Sequence, residues 1–337
     1  MAALDPAVAA IRSAVRSAFA TRRLERVLVA CSGGTDSLAL AAATAFVAPR
    51  LGIPAGLVTV DHRLQDGSTE QAKAVADWAG SVGFDPVLVE TVEVSGPGGP
   101  EAAARDARYE ALVRAAAVHR VGTVLLGHTL DDQAETVLLA LVRGAGPRGL
   151  AAMPVQREVD GVALLRPLLD VSRAQTAAAC AALGLVPWHD PHNLDPSFTR
   201  VRARSLLANL SSTLGPAVVS NLARTASLIA ADNAALDALA ATFLAASSFR
   251  AASSPPGLAA ADLAALMPAV RTRVLLEWAR SLGAPGSALS HRHIAALDAL
   301  ITDWHGQGPV ALPGGILVGR QNGVLRPGGA TTDLAGW

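Results

Sequence analysis

A doubly wound α/β sheet followed by a smaller, mainly helical α+β domain is the fold this sequence predicts. From about Arg26 to Asp190, short apolar runs alternate with longer segments of helical periodicity, the pattern of parallel strands with crossover helices. A turn rich in glycine and hydroxyl side chains, Ser32 to Ser37, joins the first apolar run to the first of these helices. Beyond Ser211 the alternation is lost, and alanine/leucine helices lead into a terminus punctuated by glycine. The expected division is residues 1–211 and 212–337.

Taken in order, Val27 to Cys31, Leu57 to Val60, Pro86 to Glu90 and Thr123 to Gly127 are the expected strands. Between and after them, Ser37 to Val47, Thr69 to Val82, Glu101 to His119 and Asp131 to Arg143 are long enough, and apolar at the right spacing, to be helices. Such a sheet binds its ligand at the carboxyl ends of its strands. A break at Asp190 to Pro196 precedes a basic helix, Phe198 to Leu210, bearing Arg200, Arg202 and Arg204. Helices are expected at Pro216 to Ser247, Ala260 to Leu282 and Ser290 to Trp304, with a Ser/Pro loop at Ser253 to Gly257. Short strands follow at Pro309 to Leu312, Ile316 to Arg320 and Gly323 to Arg326.

The 337 residues, 51% hydrophobic and 17% charged, suit two globular domains and exclude a disordered chain. Apolar stretches such as Leu38 to Pro49 and Ala234 to Ala246 are shorter or more interrupted than the roughly 20 residues of a membrane span. The N-terminus, with Arg12, Arg16, Arg22 and Arg23 among alanines, carries no signal-peptide segment, so a cytoplasmic protein without membrane association is expected. Two cysteines, Cys31 and Cys180, give no disulfide framework and no CxxC metal motif. The net charge of zero argues weakly against nucleic-acid binding without excluding it, because phosphate affinity depends on where basic side chains cluster.

The turn Ser32-Gly33-Gly34-Thr35-Asp36-Ser37 suits a pyrophosphate. Its glycines allow close backbone approach, while free amides at the helix start and three hydroxyls supply donors. It is neither a Walker A loop nor a GxGxxG fingerprint. Asp36 inside a phosphate loop would repel the ligand unless it binds Mg²⁺, so it implies a metal between carboxylate and phosphates. Further along, Asp132 and Glu135 stand three residues apart on one helix face.

This SGGxDS turn resembles that of the PP-loop ATP pyrophosphatases, and further segments narrow the likeness to the lysidine synthetases. They are Asp61-His62 with Ser68 and Glu70, the run Glu101 to Tyr109 matching E-x-x-A-R-x-x-R-Y, and Gly127 to Thr136, which contains His128 and the Asp131-Asp132-Gln133-Ala134-Glu135-Thr136 series. Arg143-Gly144, Arg166-Pro167-Leu168-Leu169, Arg173 and the turn at Asp190 to Asn193 fit as well, so the likeness spans roughly residues 25 to 210. Leu312-Pro313-Gly314-Gly315 resembles the end of that family's substrate-binding domain. Gly127, Thr129, Val201 and Ala203 depart from the usual residues, and the chain resembles the short form of the family.

The resemblance implies a PP-loop fold of the adenine nucleotide alpha hydrolase type, with ATP held by Ser32, Gly33, Gly34, Thr35, Asp36 and Ser37 and contacted by Asp61, His62 and His128. Asp36 and Asp132 would share Mg²⁺, and Asp132 with Glu135 would receive the ammonium of L-lysine; which carboxylate is base and which is ligand stays open. Arg108 suits the lysine carboxylate, or else pairs at the surface with Glu101 or Asp106. His128 either contacts ATP or satisfies the backbone. Arg200, Arg202 and Arg204 are expected to meet tRNA phosphates. The implied reaction ligates lysine to the wobble cytidine of a tRNA(Ile) with a CAU anticodon, with the domain after Ser211 recognising that tRNA. A tRNA thiolase of the same class and a module that senses ATP without turnover are the rival readings. The oligomeric state, a homodimer included, is left open.

Overall fold

The structure, a computed structural model, describes residues 4–22, 24–63, 67–93, 100–188, 195–250, 257–286 and 288–328. Two compact units divide at Ala230/Ala231. The first begins with α1 (Pro6–Ala20), β1 (Val27–Ala30), α2 (Thr35–Arg50), β2 (Ala55–Asp61), α3 (Ser68–Ser81), β3 (Val87–Thr91), α4 (Pro100–Val118), β4 (Thr123–Leu125) and α5 (Leu130–Val142). It continues with α6 (Pro147–Leu150), β5 (Gln156–Val159), β6 (Val162–Leu165), α7 (Arg173–Ala182) and α8 (Thr199–Leu214). The division itself falls within α9 (Val218–Arg250).

The six-stranded sheet of the first unit runs β3-β2-β1-β4-β6-β5, parallel except for the β5–β6 hairpin. Its central strands are short and apolar because both faces are covered. Val27 and Val29 of β1 pack with α1, α2, α3 and α7 residues, whereas Leu28 between them packs on the other face with α4 residues such as Leu112 and Ala116. The chain turns from β1 toward β2 on one side and reaches β4 on the other. The strand order therefore reverses between β1 and β4, which places the crevice for a ligand beyond their carboxyl ends.

Besides the single-turn helix α6, three features of this unit were not expected from the sequence. Helix α1 buries Val8, Ile11, Val15 and Phe19 along one face. The β5–β6 hairpin turns through Asp160 and Gly161, both at positive φ (49° and 77°), the conformation that an Asp-Gly pair favours. Helix α7 starts with a capping box in which Ser172 accepts from the Gln175 amide and the Gln175 side chain accepts from the Ser172 amide. The turn at Asp190 to Asn193 lies outside the described residues.

In the second unit, β7 (Leu258–Ala259), α10 (Ala260–Ala264), α11 (Pro268–Ser281), α12 (His291–Thr302), β8 (Val310–Leu312), β9 (Ile316–Gln321) and β10 (Val324–Gly328) surround a core centred on the buried Trp278. The expected helix from Ala260 to Leu282 is broken in two. Pro268 lacks the amide a continuing helix needs and holds Met267 extended (ψ 141°), so α11 begins afresh with proline in its first turn. The antiparallel sheet β7-β10-β9-β8 has an Asn322-Gly323 turn, both residues at positive φ, between β9 and β10. Residues 218–247 of α9 have the length and hydropathy of a membrane-spanning helix, more than the interrupted stretch from Ala234 to Ala246 promised. Leucine, valine and isoleucine among the alanines supply that hydropathy. Two of its polar side chains are engaged by the fold, since Arg273 binds Asp237 at 3.0 Å and Asn233 at 2.6 Å.

Candidate active site

The turn after β1 is shaped by its glycines and tied down by Ser37. Gly33 has φ +80°, and a Cβ there would collide with the Gln71 side chain and lie 2.9 Å from Val75 Cγ2. Ser37 Oγ donates to the Gly34 carbonyl (3.0 Å) and accepts from the Ser32 amide (3.2 Å), which closes the loop on itself. Helix α2 starts at Thr35 with no side-chain cap, so its first amides are unclaimed by any capping side chain and face the loop. Gly127 at the end of β4 lets the two segments meet: a Cβ would sit 3.0 Å from the Ser37 backbone. Gly33→Ala is expected to lower stability by about 1–3 kcal/mol through left-handed strain and this collision, and to abolish nucleotide binding. Thermal unfolding together with an ATP titration checks it, and wild-type affinity would be the contrary result.

Asp36, on the first turn of α2, meets two groups from α7. The Thr176 hydroxyl donates to its Oδ1 in a very short hydrogen bond, and Arg173 Nε lies 3.5 Å from its Oδ2. Burial lifts the Asp36 carboxyl above its ordinary range, Thr176 and Arg173 oppose that shift, and the nearby charge of Asp132 adds to it.

Asp132 is the third residue of α5 and closes its N-terminus. Its Oδ2 accepts from the Thr129 amide (2.8 Å) and hydroxyl (2.9 Å), which makes it the acidic half of a capping box. Asp131 instead accepts from the Arg173 amide at 2.7 Å and so binds α7 to α5. Burial works against the Asp132 charge, but Arg173 and the Thr129 donors outweigh it and hold the carboxyl below its usual value. One turn on, Glu135 is 1% exposed. Its Oε1 takes Arg173 Nη1 (3.1 Å) and Arg204 Nε (3.0 Å), while Oε2 is buried with no hydrogen-bond partner among the described residues.

Arg173 therefore reaches Asp36, Asp132 and Glu135 with one guanidinium, its Nη2 lying 3.0 Å from Asp132 Oδ1. Burial would lower its basicity, but the surrounding carboxylates raise it above the ordinary arginine value. Sequence reasoning assigned no role to Arg173 or Thr176. Their helix is a remote element, although the Ser172–Gln175 capping box marks where it starts.

Of the other expected site residues, Arg204 joins this array and His128 lies near Asp132, while the rest stand apart from it. Asp61 is fully committed to its own loop, accepting from the Arg63 amide (2.9 Å), Ser68 Oγ (2.7 Å) and Thr69 Oγ1 (2.7 Å). His62 follows it, partly buried. Of the three arginines on α8, Arg204 binds Glu135, and Arg202 folds back on the Pro196 and Ser197 carbonyls at 2.8 and 2.7 Å. The charges of Arg105, Arg108, Arg166 and Arg200 gather near Tyr109. Among the described residues Arg108 makes no ion pair with Asp106. Cys31 and Cys180 are buried thiols, Cys180 pushed up to about 11 first by burial and then by Asp36.

His128 accepts from Arg166 Nε at 3.2 Å through Nδ1, which puts the ring proton on Nε2. Burial pushes its pKa down to about 3, with Asp132 opposing and Arg166 assisting, so the ring is neutral near pH 7. Because the folded value lies below the unfolded one near 6.5, its contribution to stability is present above pH 6.5. It is lost as pH falls toward 3, by up to about 1.4 kcal/mol per pH unit. His128→Gln is expected to flatten the fall in unfolding midpoint between pH 6.5 and 4 relative to wild type. Parallel curves would contradict the neutral assignment.

Residues 8–210, which hold this array, match the PP-loop domain family, and residues 258–326 match the TilS substrate binding domain family. A tRNA(Ile)-lysidine synthase of Salinispora tropica is 62% identical over 329 residues, which cover 96% of this chain and 97% of that protein. The chain belongs to the tRNA(Ile)-lysidine synthase family. A second member of the family, from Thermobifida fusca, is 51% identical over 96% of this chain and 98% of its own length. The U34-tRNA thiolase NcsA from Methanococcus maripaludis, solved with its 4Fe-4S cluster, superposes with a TM-score of 0.55 at 18% identity, over 66% of this chain and 80% of that one. That likeness is one of fold alone.

Proposed function

We propose that this protein is an ATP-dependent ligase that joins L-lysine to the wobble cytidine of a tRNA(Ile) with a CAU anticodon. The family supports the reaction, and the observation that carries it here is the array of Asp36, Asp132 and Glu135 beside the phosphate-type loop, with one buried Glu135 oxygen left for a donor. In the first step O2 of cytosine attacks the α-phosphorus of ATP, the α–β P–O bond breaks and pyrophosphate leaves. In the second the ε-amine, having given up a proton, adds at C2 and AMP departs with O2. The modified base pairs with A where cytosine pairs with G.

The turn from Ser32 to Ser37 would hold the triphosphate through its amides and hydroxyls. Asp36 and Asp132 would hold Mg²⁺, which supplies charge neutralisation on the phosphates. The fit is reasonable. No cluster of three potential ligands occurs among the described residues, and Mg²⁺ is usually held by one or two carboxylates together with substrate phosphates. Glu135 and Asp132 would anchor the ammonium and take its proton. Arg108, in its basic group on α4, would face an anion, either the lysine carboxylate or RNA.

The second unit would recognise the tRNA and perform no chemistry. Several of its arginines are spent on the fold, since Arg271 forms a two-pronged pair with Asp298 (2.6 and 3.3 Å) and Arg273 holds Asp237. RNA contact there would rest on the remaining basic side chains. Incubation of the protein with labelled lysine, ATP, Mg²⁺ and an unmodified tRNA(Ile) with a CAU anticodon tests the reading. Label in the tRNA supports it. Pyrophosphate release without label transfer would point to a different acceptor, and neither product to a nucleotide-binding module.

A further inference from the structure

We propose that Arg173 is a positioning residue for the lysine half of the reaction, setting the carboxylate array so that Glu135 Oε2 is left as the acceptor for the incoming ammonium. The inference rests on the reading above and adds a residue to it. Two helices deliver three acids to one place: Asp36 comes from α2, and Asp132 and Glu135 from α5. Three acidic side chains so placed are held together by a shared cation that reaches all of them. That cation is a guanidinium rooted in α7, whose own amide is fixed to Asp131 at 2.7 Å.

The fork is used unevenly. Nη1 and Nη2 hold Glu135 and Asp132 at 3.1 and 3.0 Å, whereas Nε stands 3.5 Å from Asp36. Asp36 is thus the carboxylate most readily released toward a metal and the phosphates, while Glu135 stays gripped by two arginines. On Glu135, Arg173 and Arg204 both occupy Oε1, which turns Oε2 away from them. A buried carboxylate oxygen with no donor among the described residues is unfavourable, so the arrangement favours a bound ammonium. A lysine side chain at 173 would restore the charge but not the planar fork that spans two carboxylates.

The test compares wild type with R173Q and R173K by three measurements: lysine KM and kcat in the tRNA-labelling assay, Mg²⁺–ATP affinity by titration, and thermal unfolding. R173Q is expected to raise the lysine KM about tenfold or more, with nucleotide affinity within about twofold of wild type and a smaller change in kcat. R173K should recover only part of the loss. If R173Q does not fold, R173K alone still decides, because a wild-type lysine KM in it overturns the fork. An unchanged KM in R173Q, or lysine and nucleotide affinity falling together with the unfolding midpoint, also overturns the proposal. A wild-type protein that transfers no lysine would sink the underlying reading and this inference with it. A wild type that transfers lysine beside an unaffected R173Q sinks the inference alone.

Discussion

Asp36→Ala should lower Mg²⁺-dependent turnover by at least about 10²-fold while the protein stays folded. A metal on transferring phosphates contributes several kcal/mol of charge stabilisation, and each 1.4 kcal/mol is about tenfold in rate. The structural loss is small by comparison. Thr176 has a second acceptor, the Arg173 carbonyl at 2.9 Å, and Arg173 keeps Asp132 and Glu135. The α2 N-terminus forfeits one favourable charge, about 0.3–1 kcal/mol, and the buried carboxyl's desolvation is relieved. Activity titrated against Mg²⁺, alongside thermal unfolding, separates the two contributions. Unchanged turnover would remove Asp36 from the metal site, and a collapse of the unfolding midpoint would make it structural.

The first four strands and their crossover helices were legible because each carries its own signal, an apolar run bounded by turn residues or an amphipathic helix. What the sequence reading missed divides by cause. The hairpin β5–β6 and helix α1 had signals, Asp160-Gly161 between apolar runs and the spacing of Val8, Ile11, Val15 and Phe19, which went unread. Helix α7 is mostly alanine, so no large side chain marks its buried face, and only its capping box announces it. In the site, Asp36 and the pair Asp132 and Glu135 could be picked out because each sits in a local pattern. Arg173 could not. It lies 41 residues beyond Asp132, and only the packing of α7 beside α2 and α5 turns it toward three acids. Arg204 looked like a solvent-facing basic residue for the same reason, and its partner Glu135 is 69 residues away.

Glu135→Gln should abolish lysine transfer, by about 10²–10⁴-fold, and leave ATP binding in place, because the change removes a charge and a proton acceptor but keeps the shape. The amide oxygen can still accept from Arg173 and Arg204, now 3.1 and 3.0 Å from Oε1, so both guanidiniums keep a partner. The amide nitrogen would take the place of Oε2, where a donor already meets the site's need and an ammonium would be refused. Glu135→Ala is the poorer probe, since emptying a 1% exposed position beside two arginines mixes a packing loss into the kinetics. Asp132→Asn is poorer still: Asp132 Oδ2 caps α5 through Thr129, and losing a cap costs about 0.5–2 kcal/mol whatever the chemistry. Lysine saturation curves for Glu135→Gln, read beside a nucleotide titration, decide the assignment. Lost ATP affinity with normal lysine saturation would move Glu135 from the amine to the nucleotide. A fall in both with an unchanged unfolding midpoint would mean that the two substrates share this carboxylate.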